Sequence, residues 1–123
     1  MSKSDRLAEF ESYRQQMNER IAQIDRLGIK RFFNLDSSAY KDGALSGKEK
    51  ELLGLVASMV LRCNHCIDYH ILQCVDAGWS DEELVDAFNV ALIVGGSIVI
   101  PHLRHAVESL DLARLRKIED KDK

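Results

Sequence analysis

A chain of 123 residues, 46% hydrophobic and 30% charged, has the length of one domain and the composition of an ordinary globular protein. Its net charge of −3 and pI near 5.8, with no basic block, argue against a nucleic-acid or anionic-membrane partner. A domain this small buries a limited core, so some apolar helix surface is expected to be covered by another subunit.

The N-terminus, Met1 to Arg6, leads into polar helix and carries no apolar signal-peptide core. Leu7, Phe10, Met17, Ile21 and Ile24 recur at steps of three, four and seven, with Tyr13 beside them. That pattern predicts an amphipathic helix from about residue 5 to 27, with Gly28 as its stop. A connecting segment follows, anchored by Phe32 and Phe33 and turned at Asp42-Gly43. Ser46 reads as an N-cap, and Glu49 three residues on completes a capping box.

The second helix is expected from about Gly47 to Arg62, with Leu52, Leu53, Val56, Met59 and Val60 apolar. The third begins around Cys63 and ends at Gly78, carrying Ile67, Ile71, Leu72 and Val75. Ser80-Asp81-Glu82-Glu83 is a second capping box, with acidic residues where the helix dipole favours them. A long apolar helix with Leu84, Val85, Phe88, Ala91 and Leu92 follows, to be bent or broken by Gly95-Gly96 and Pro101. A last segment runs from about His102 to Leu115, ahead of a charged, frayed tail from Arg116 to Lys123.

No stretch alternates with period two between hairpin signals, so the fold class is all-α, with about five to six helices in one domain. Residues 1–45 form an N-terminal helix and connector, 46–115 the core and 116–123 the tail. The least polar stretch, Val90 to Ile100, falls far short of the roughly 20 residues that cross a bilayer, and the chain reads as cytoplasmic. In a reducing compartment its three cysteines point to catalysis or metal binding rather than a structural disulfide framework.

The chemistry concentrates in Cys63-Asn64-His65-Cys66-Ile67-Asp68-Tyr69-His70. A dithiol supplies both halves of a redox reaction: one sulfur attacks, and the other closes a disulfide behind it. His70 stands four residues after Cys66, one helical turn away on the same face, where an imidazole can take a thiol proton near neutral pH. The βαβ pattern that would accompany Cys-x-x-Cys in thioredoxin is missing.

These residues resemble the carboxymuconolactone decarboxylase-like superfamily, specifically its alkylhydroperoxidase D-like branch. The signature reads Glu51, eleven intervening residues, Cys63-Asn64-His65-Cys66, then His70, with His65 matching the family's histidine between the cysteines. Flanking segments agree, at Asp42 to Leu52 and at Ala77 to Leu84, and the match spans roughly residues 42 to 108. The resemblance implies a helical fold, commonly a homotrimer or homohexamer. It also implies thiol oxidoreductase chemistry on a peroxide or disulfide, with no bound cofactor and an external dithiol reductant. The superfamily's decarboxylases lack the dithiol, which disfavours lactone decarboxylation here.

By the same resemblance Cys66 attacks the terminal peroxide oxygen and becomes a sulfenic acid, and Cys63 resolves it. Glu51 and His70 relay protons, while His65 tunes or positions the thiols. The thiolate is the nucleophile, and an isolated thiol with pKa about 8.5 is mostly protonated at pH 7. A helix N-terminus and neighbouring imidazoles both favour the charged sulfur.

Other readings stand beside this one. Cys63, Cys66 and His70 can serve as three zinc ligands, with His65, Cys74, His102 or His105 as a fourth, in a non-enzymatic zinc-binding or redox-sensing module. A decarboxylase-type activity on the same scaffold is a third. Cys74 reads as a buried core residue, Tyr69 and Trp79 as packing residues, and Gly95-Gly96 as a point of close packing. His102 and His105, just after Pro101, fit a solvated helix face better than a substrate entrance or a subunit contact.

Overall fold

The computed structural model describes residues 5–121. Its elements are α1 (Asp5–Ile24), α2 (Leu27–Ala39), α3 (Gly47–Val60), α4 (Asn64–Asp76), α5 (Asp81–Gly95), a 3-10 turn (Ser97–Val99) and α6 (Ile100–Lys121). No strand occurs among the described residues, as the absence of period-two alternation predicts.

Both expected capping boxes form. Ser46 Oγ accepts from Glu49 N at 3.1 Å and Ser80 Oγ from Glu83 N at 3.1 Å, while each glutamate accepts from its cap's backbone N–H. Each box satisfies donors that the first turn of a helix leaves without partners, which fixes where α3 and α5 begin.

Helix α4 packs against both α3 and α6, and α3 packs in turn on α5. The core runs through these contacts. Leu55 and Met59 meet Ile67, Ile71 and Cys74, and these join Leu84, Phe88, Val99, Ala106 and Leu110, all essentially closed to solvent. Each large apolar side chain buried this way contributes about 1.5–3 kcal/mol. From α1, Leu7 reaches the same cluster.

Four expectations are corrected. Helix α1 ends at Ile24 rather than near 27, because Asp25 takes the left-handed conformation at φ 57, which aspartate tolerates better than most residues; Gly28 lies inside α2. The supposed connector around Phe32-Phe33 is the helix α2. Its start carries no local signal, because its N-cap, Arg26, makes no side-chain cap bond, and its phenylalanines are exposed rather than anchoring.

Pro101 does not break a helix: it stands in the first turn of α6, where its missing N–H costs nothing. The break before it comes at Gly96, with φ 81. Helix α6 also continues through the charged segment as far as Lys121. Arg116 pairs with Glu11 at 2.5 Å, and Lys117 with Asp76 at 3.0 Å. Residues 122–123 lie outside the described residues.

Candidate active site

The turn between α3 and α4 delivers the first sulfur. Arg62 sits in the left-handed region at φ 62, its N–H donates to Met59 O at 3.1 Å, and Cys63 N–H donates to Ser58 O at 3.0 Å. This is a Schellman closure with arginine where glycine is usual, a conformation costing about 1–2 kcal/mol for a residue bearing a Cβ. The closure makes Cys63 the N-cap of α4, and its sulfur accepts the backbone N–H of Cys66 at 3.3 Å. The positive end of the helix dipole therefore faces the dithiol.

Cys63 and Cys66 are joined as a disulfide, their α-carbons 5.3 Å apart. Cys66 is exposed and Cys63 half-buried.

One turn along α4, His70 is buried against α3. Its Nδ1 stands 2.8 Å from Glu51 Oε1. A carboxylate only accepts, so Nδ1 carries the proton and Nε2 presents its lone pair. Tyr40, at the end of α2, places its hydroxyl 3.5 Å from that Nε2, at the outer edge of hydrogen bonding. The His70 ring lies between two tyrosines, with Tyr40 at 5.5 Å and Tyr69 edge-on at 5.1 Å between centroids. Burial, together with the negative charges of Glu51 and Asp36, pushes the Tyr40 hydroxyl above its usual pKa of 10.0.

A cavity of 340 Å³ opens over this group. Helix α1 walls it with Phe10, Tyr13, Arg14 and Met17, and α2 and its end contribute Asp36 and Tyr40. The floor is Cys66, His65, Tyr69 and His70 from α4. His65 is exposed and meets the Phe10 ring at a tilt, 5.2 Å between centroids, and the Arg14 guanidinium lies 4.2 Å above the Tyr69 ring. A larger hollow of 530 Å³ between α1 and α4 contains no thiol.

A second polar group holds α4 from another side. Asp68 is 2% exposed, two residues beyond Cys66. It accepts from His105 Nε2 at 2.9 Å, from Ser109 Oγ at 2.5 Å and from Arg6 at 3.2 Å. Burial works to raise the Asp68 pKa, but these hydrogen bonds and the His105 and Arg6 charges outweigh it and hold the carboxyl below its usual value. His102 Nδ1 lies 2.8 Å from Asn64 Oδ1, between the two cysteines. The expectation of a solvated face for His102 and His105 is therefore corrected. Both are half-buried and tie α6 to the cysteine helix.

All five residues singled out in the sequence, Glu51, Cys63, His65, Cys66 and His70, lie around the start of α4. Cys74 is buried in the core, as expected, and burial pushes its thiol pKa up to about 12. Trp79 packs on the core, its indole N–H donating to Lys48 O at 3.0 Å. Among the described residues no three His, Cys, Asp or Glu side chains converge as a metal site.

Tyr40 and Gly54 are the residues that sequence reasoning missed. Tyr40 stands 30 positions from His70, so only the fold brings them together. Gly54 lacks the turn context that usually flags a glycine, being inside a helix.

Residues 29–109 match the carboxymuconolactone decarboxylase family. The chain belongs to that family. Two crystal structures of one carboxymuconolactone decarboxylase family protein from Thermotoga maritima resemble it at 53% identity. The first has a TM-score of 0.84 and covers 92% of this chain and 97% of that one. The second has a TM-score of 0.83, covers 93% and 95%, and carries a suggested involvement in antioxidative response.

A carboxymuconolactone decarboxylase family protein from Legionella pneumophila shares 26% identity and a TM-score of 0.77, over 87% of this chain and 96% of its own. An uncharacterised protein of the cox locus of Paracoccus denitrificans is 28% identical over 80 residues, which are 65% of this chain and 72% of that protein. Within the carboxymuconolactone decarboxylase family, then, this chain is an all-helical member, and no described helix is long and apolar enough to cross a membrane.

Proposed function

We propose that this chain is an alkylhydroperoxidase D-like thiol oxidoreductase that reduces a peroxide or disulfide with the Cys63/Cys66 pair. The observation that carries the reading is the pairing of buried His70 with half-buried Glu51 at 2.8 Å, one helical turn from a cysteine that lines a cavity. The antioxidative role suggested for the Thermotoga maritima relative accords with it.

In this reading His70 Nε2 takes the Cys66 proton, and Glu51 stabilises the imidazolium through Nδ1. The Cys66 thiolate attacks the terminal oxygen of the peroxide, the O–O bond breaks, and an alcohol leaves with the proton. The sulfenic acid on Cys66 then meets Cys63, whose attack forms the disulfide and releases water. An external dithiol returns two electrons and two protons. Cys66 is the attacking thiol because it lines the cavity, while Cys63 serves as helix cap. His65, packed at a tilt against Phe10 at the cavity wall, positions α1 over the thiols.

The working unit is proposed to be a homotrimer or homohexamer. No residue of α2 is buried, and Leu27, Phe32 and Leu35 expose 59%, 70% and 69% of their surface, a face that a second copy would cover.

The decisive experiment counts free thiols in the reduced protein before and after one equivalent of peroxide, with zinc assayed on the same sample. Loss of two thiols, reversed by a dithiol and abolished in Cys66→Ser, is the expected result. Stoichiometric zinc with silent thiols would replace the reading with a metal-binding module, and turnover surviving loss of both cysteines would favour decarboxylase-type chemistry. Sulfenate trapping orders the cysteines. A trap adduct that persists only when Cys66 is lost would reverse the assignment.

A further inference from the structure

Two side chains and one bare α-carbon meet beside the cavity in a way the dithiol reaction leaves unexplained. Tyr40 points its hydroxyl at His70 Nε2 from 3.5 Å, and both residues line the same cavity as Cys66. The third is the bare α-carbon of Gly54. A methyl group there would lie 2.8 Å from the Tyr40 hydroxyl, 2.8 Å from His70 Nε2 and 2.6 Å from His70 Cε1. The helix has no room for a side chain at this position, so the tyrosine and histidine are seated together over it. Tyr40 itself arrives from the chain just after α2. A tyrosine held only by packing has no need to put its polar end on a ring nitrogen.

The direction of that hydrogen bond depends on the state of the thiol. While Nδ1–H is given to Glu51 and Nε2 is bare, the Tyr40 hydroxyl donates to Nε2. Once Nε2 has taken the Cys66 proton it becomes a donor. The tyrosine oxygen must then accept from it, and the phenolic proton turns away toward the cavity. Ionising the nucleophile thus presents an acid to the peroxide at the moment one is needed.

Resting on the peroxidase reading above, we propose that Tyr40 is a catalytic residue, the general acid that protonates the oxygen leaving from an alkyl hydroperoxide. The sulfur of Cys66 bonds to the terminal oxygen, the O–O bond breaks, and the departing alkoxide takes the Tyr40 proton to become an alcohol. The phenolate is reprotonated by His70 Nε2, so the alcohol carries the Tyr40 proton and the proton first lost by the thiol comes to rest on Tyr40. Sulfur loses two electrons and the peroxide gains them. The raised pKa of Tyr40, caused first by burial and then by the charges of Glu51 and Asp36, keeps the hydroxyl protonated at neutral pH until the alkoxide forms. The neighbouring Tyr69, whose ring meets His70 edge-on, shows no such contact with the nitrogen.

The test compares two oxidants whose leaving groups differ in basicity, in the full-length reduced protein and in Tyr40→Phe. tert-Butyl hydroperoxide expels a strongly basic alkoxide that needs a proton, whereas peracetic acid expels acetate, which does not. The expected result is a drop of about 10²-fold in the rate of dithiol oxidation by tert-butyl hydroperoxide, with peracetic acid within about threefold of the unsubstituted protein. The retained peracetic acid rate also shows that the variant is folded with a reactive thiol. Equal losses with both oxidants would overturn the proposal, because Tyr40 would then act on packing or on the thiol. No loss with either would overturn it as well. An unsubstituted protein inert to both oxidants would reject the peroxidase reading, and this proposal with it.

Discussion

Gly54 lies directly beneath His70: a Cβ at position 54 would stand 2.6 Å from the imidazole Cε1 and 2.8 Å from Nε2. Atoms do not approach so closely, and the ring is confined on its other sides by Glu51 and two tyrosines. Alanine would normally favour a helix over glycine by about 1 kcal/mol. Here the methyl group must push the imidazole away. Gly54→Ala is therefore expected to retain helix content and to lose about 10²-fold in the rate of dithiol oxidation by peroxide, as displacement of a catalytic group by an ångström can. Circular dichroism beside stopped-flow oxidation checks this, and an unimpaired rate would mean that the His70 position is not critical.

The Asp68 carboxyl sets an acid limit on stability. Its folded pKa lies below the unfolded value of about 3.9, so the stability it supplies is fully present above that value and is lost as pH falls through the folded pKa. Asp68→Asn should lower stability at neutral pH by about 1.5–3 kcal/mol, the range for a hydrogen bond to a charged group. It should also flatten the decline below about pH 4. Urea denaturation at a series of pH values measures both effects, and an unchanged acid slope would assign the decline to other carboxyls.

Cys74 should stay silent while its neighbours react. With its pKa pushed up to about 12, chiefly by burial, only about one molecule in 10⁴ carries that thiolate at pH 8. In the reduced protein a chromogenic disulfide reagent is expected to find two thiols at once and the third only on unfolding. Three equally fast thiols would contradict the burial of Cys74.

The uncovered face of α2 predicts assembly. Light scattering should give three or six times the 13.9 kDa of one chain, and Phe32→Glu combined with Leu35→Glu should bring that mass down. A protein of single-chain mass before substitution would remove the proposed oligomer.

The signals that proved readable are those written in local spacing. Ser46 with Glu49 and Ser80 with Glu83 announce helix starts because a capping box is satisfied within four consecutive residues. Helix α2 carried no such mark, since Arg26 caps nothing and its apolar residues found no core to reveal them. Gly28 looked like a terminator, yet the chain turned at Asp25, a choice governed by one residue's tolerance for positive φ. His102 and His105 looked solvated because their partners, Asn64 and Asp68, lie 38 and 37 positions away.

By itself the sequence determined the helical class and singled out the candidate centre. A 3.6-residue repeat and a Cys-x-x-Cys with a histidine four residues on need nothing beyond one turn of helix to become a face and a contact. Only the tertiary structure decided what surrounds that centre. It brought Glu51 to Nδ1 of His70 and Tyr40 to the other nitrogen, and it left Gly54 bare beneath them. Contacts between separate helices depend on how their faces interlock, and no local spacing encodes that geometry.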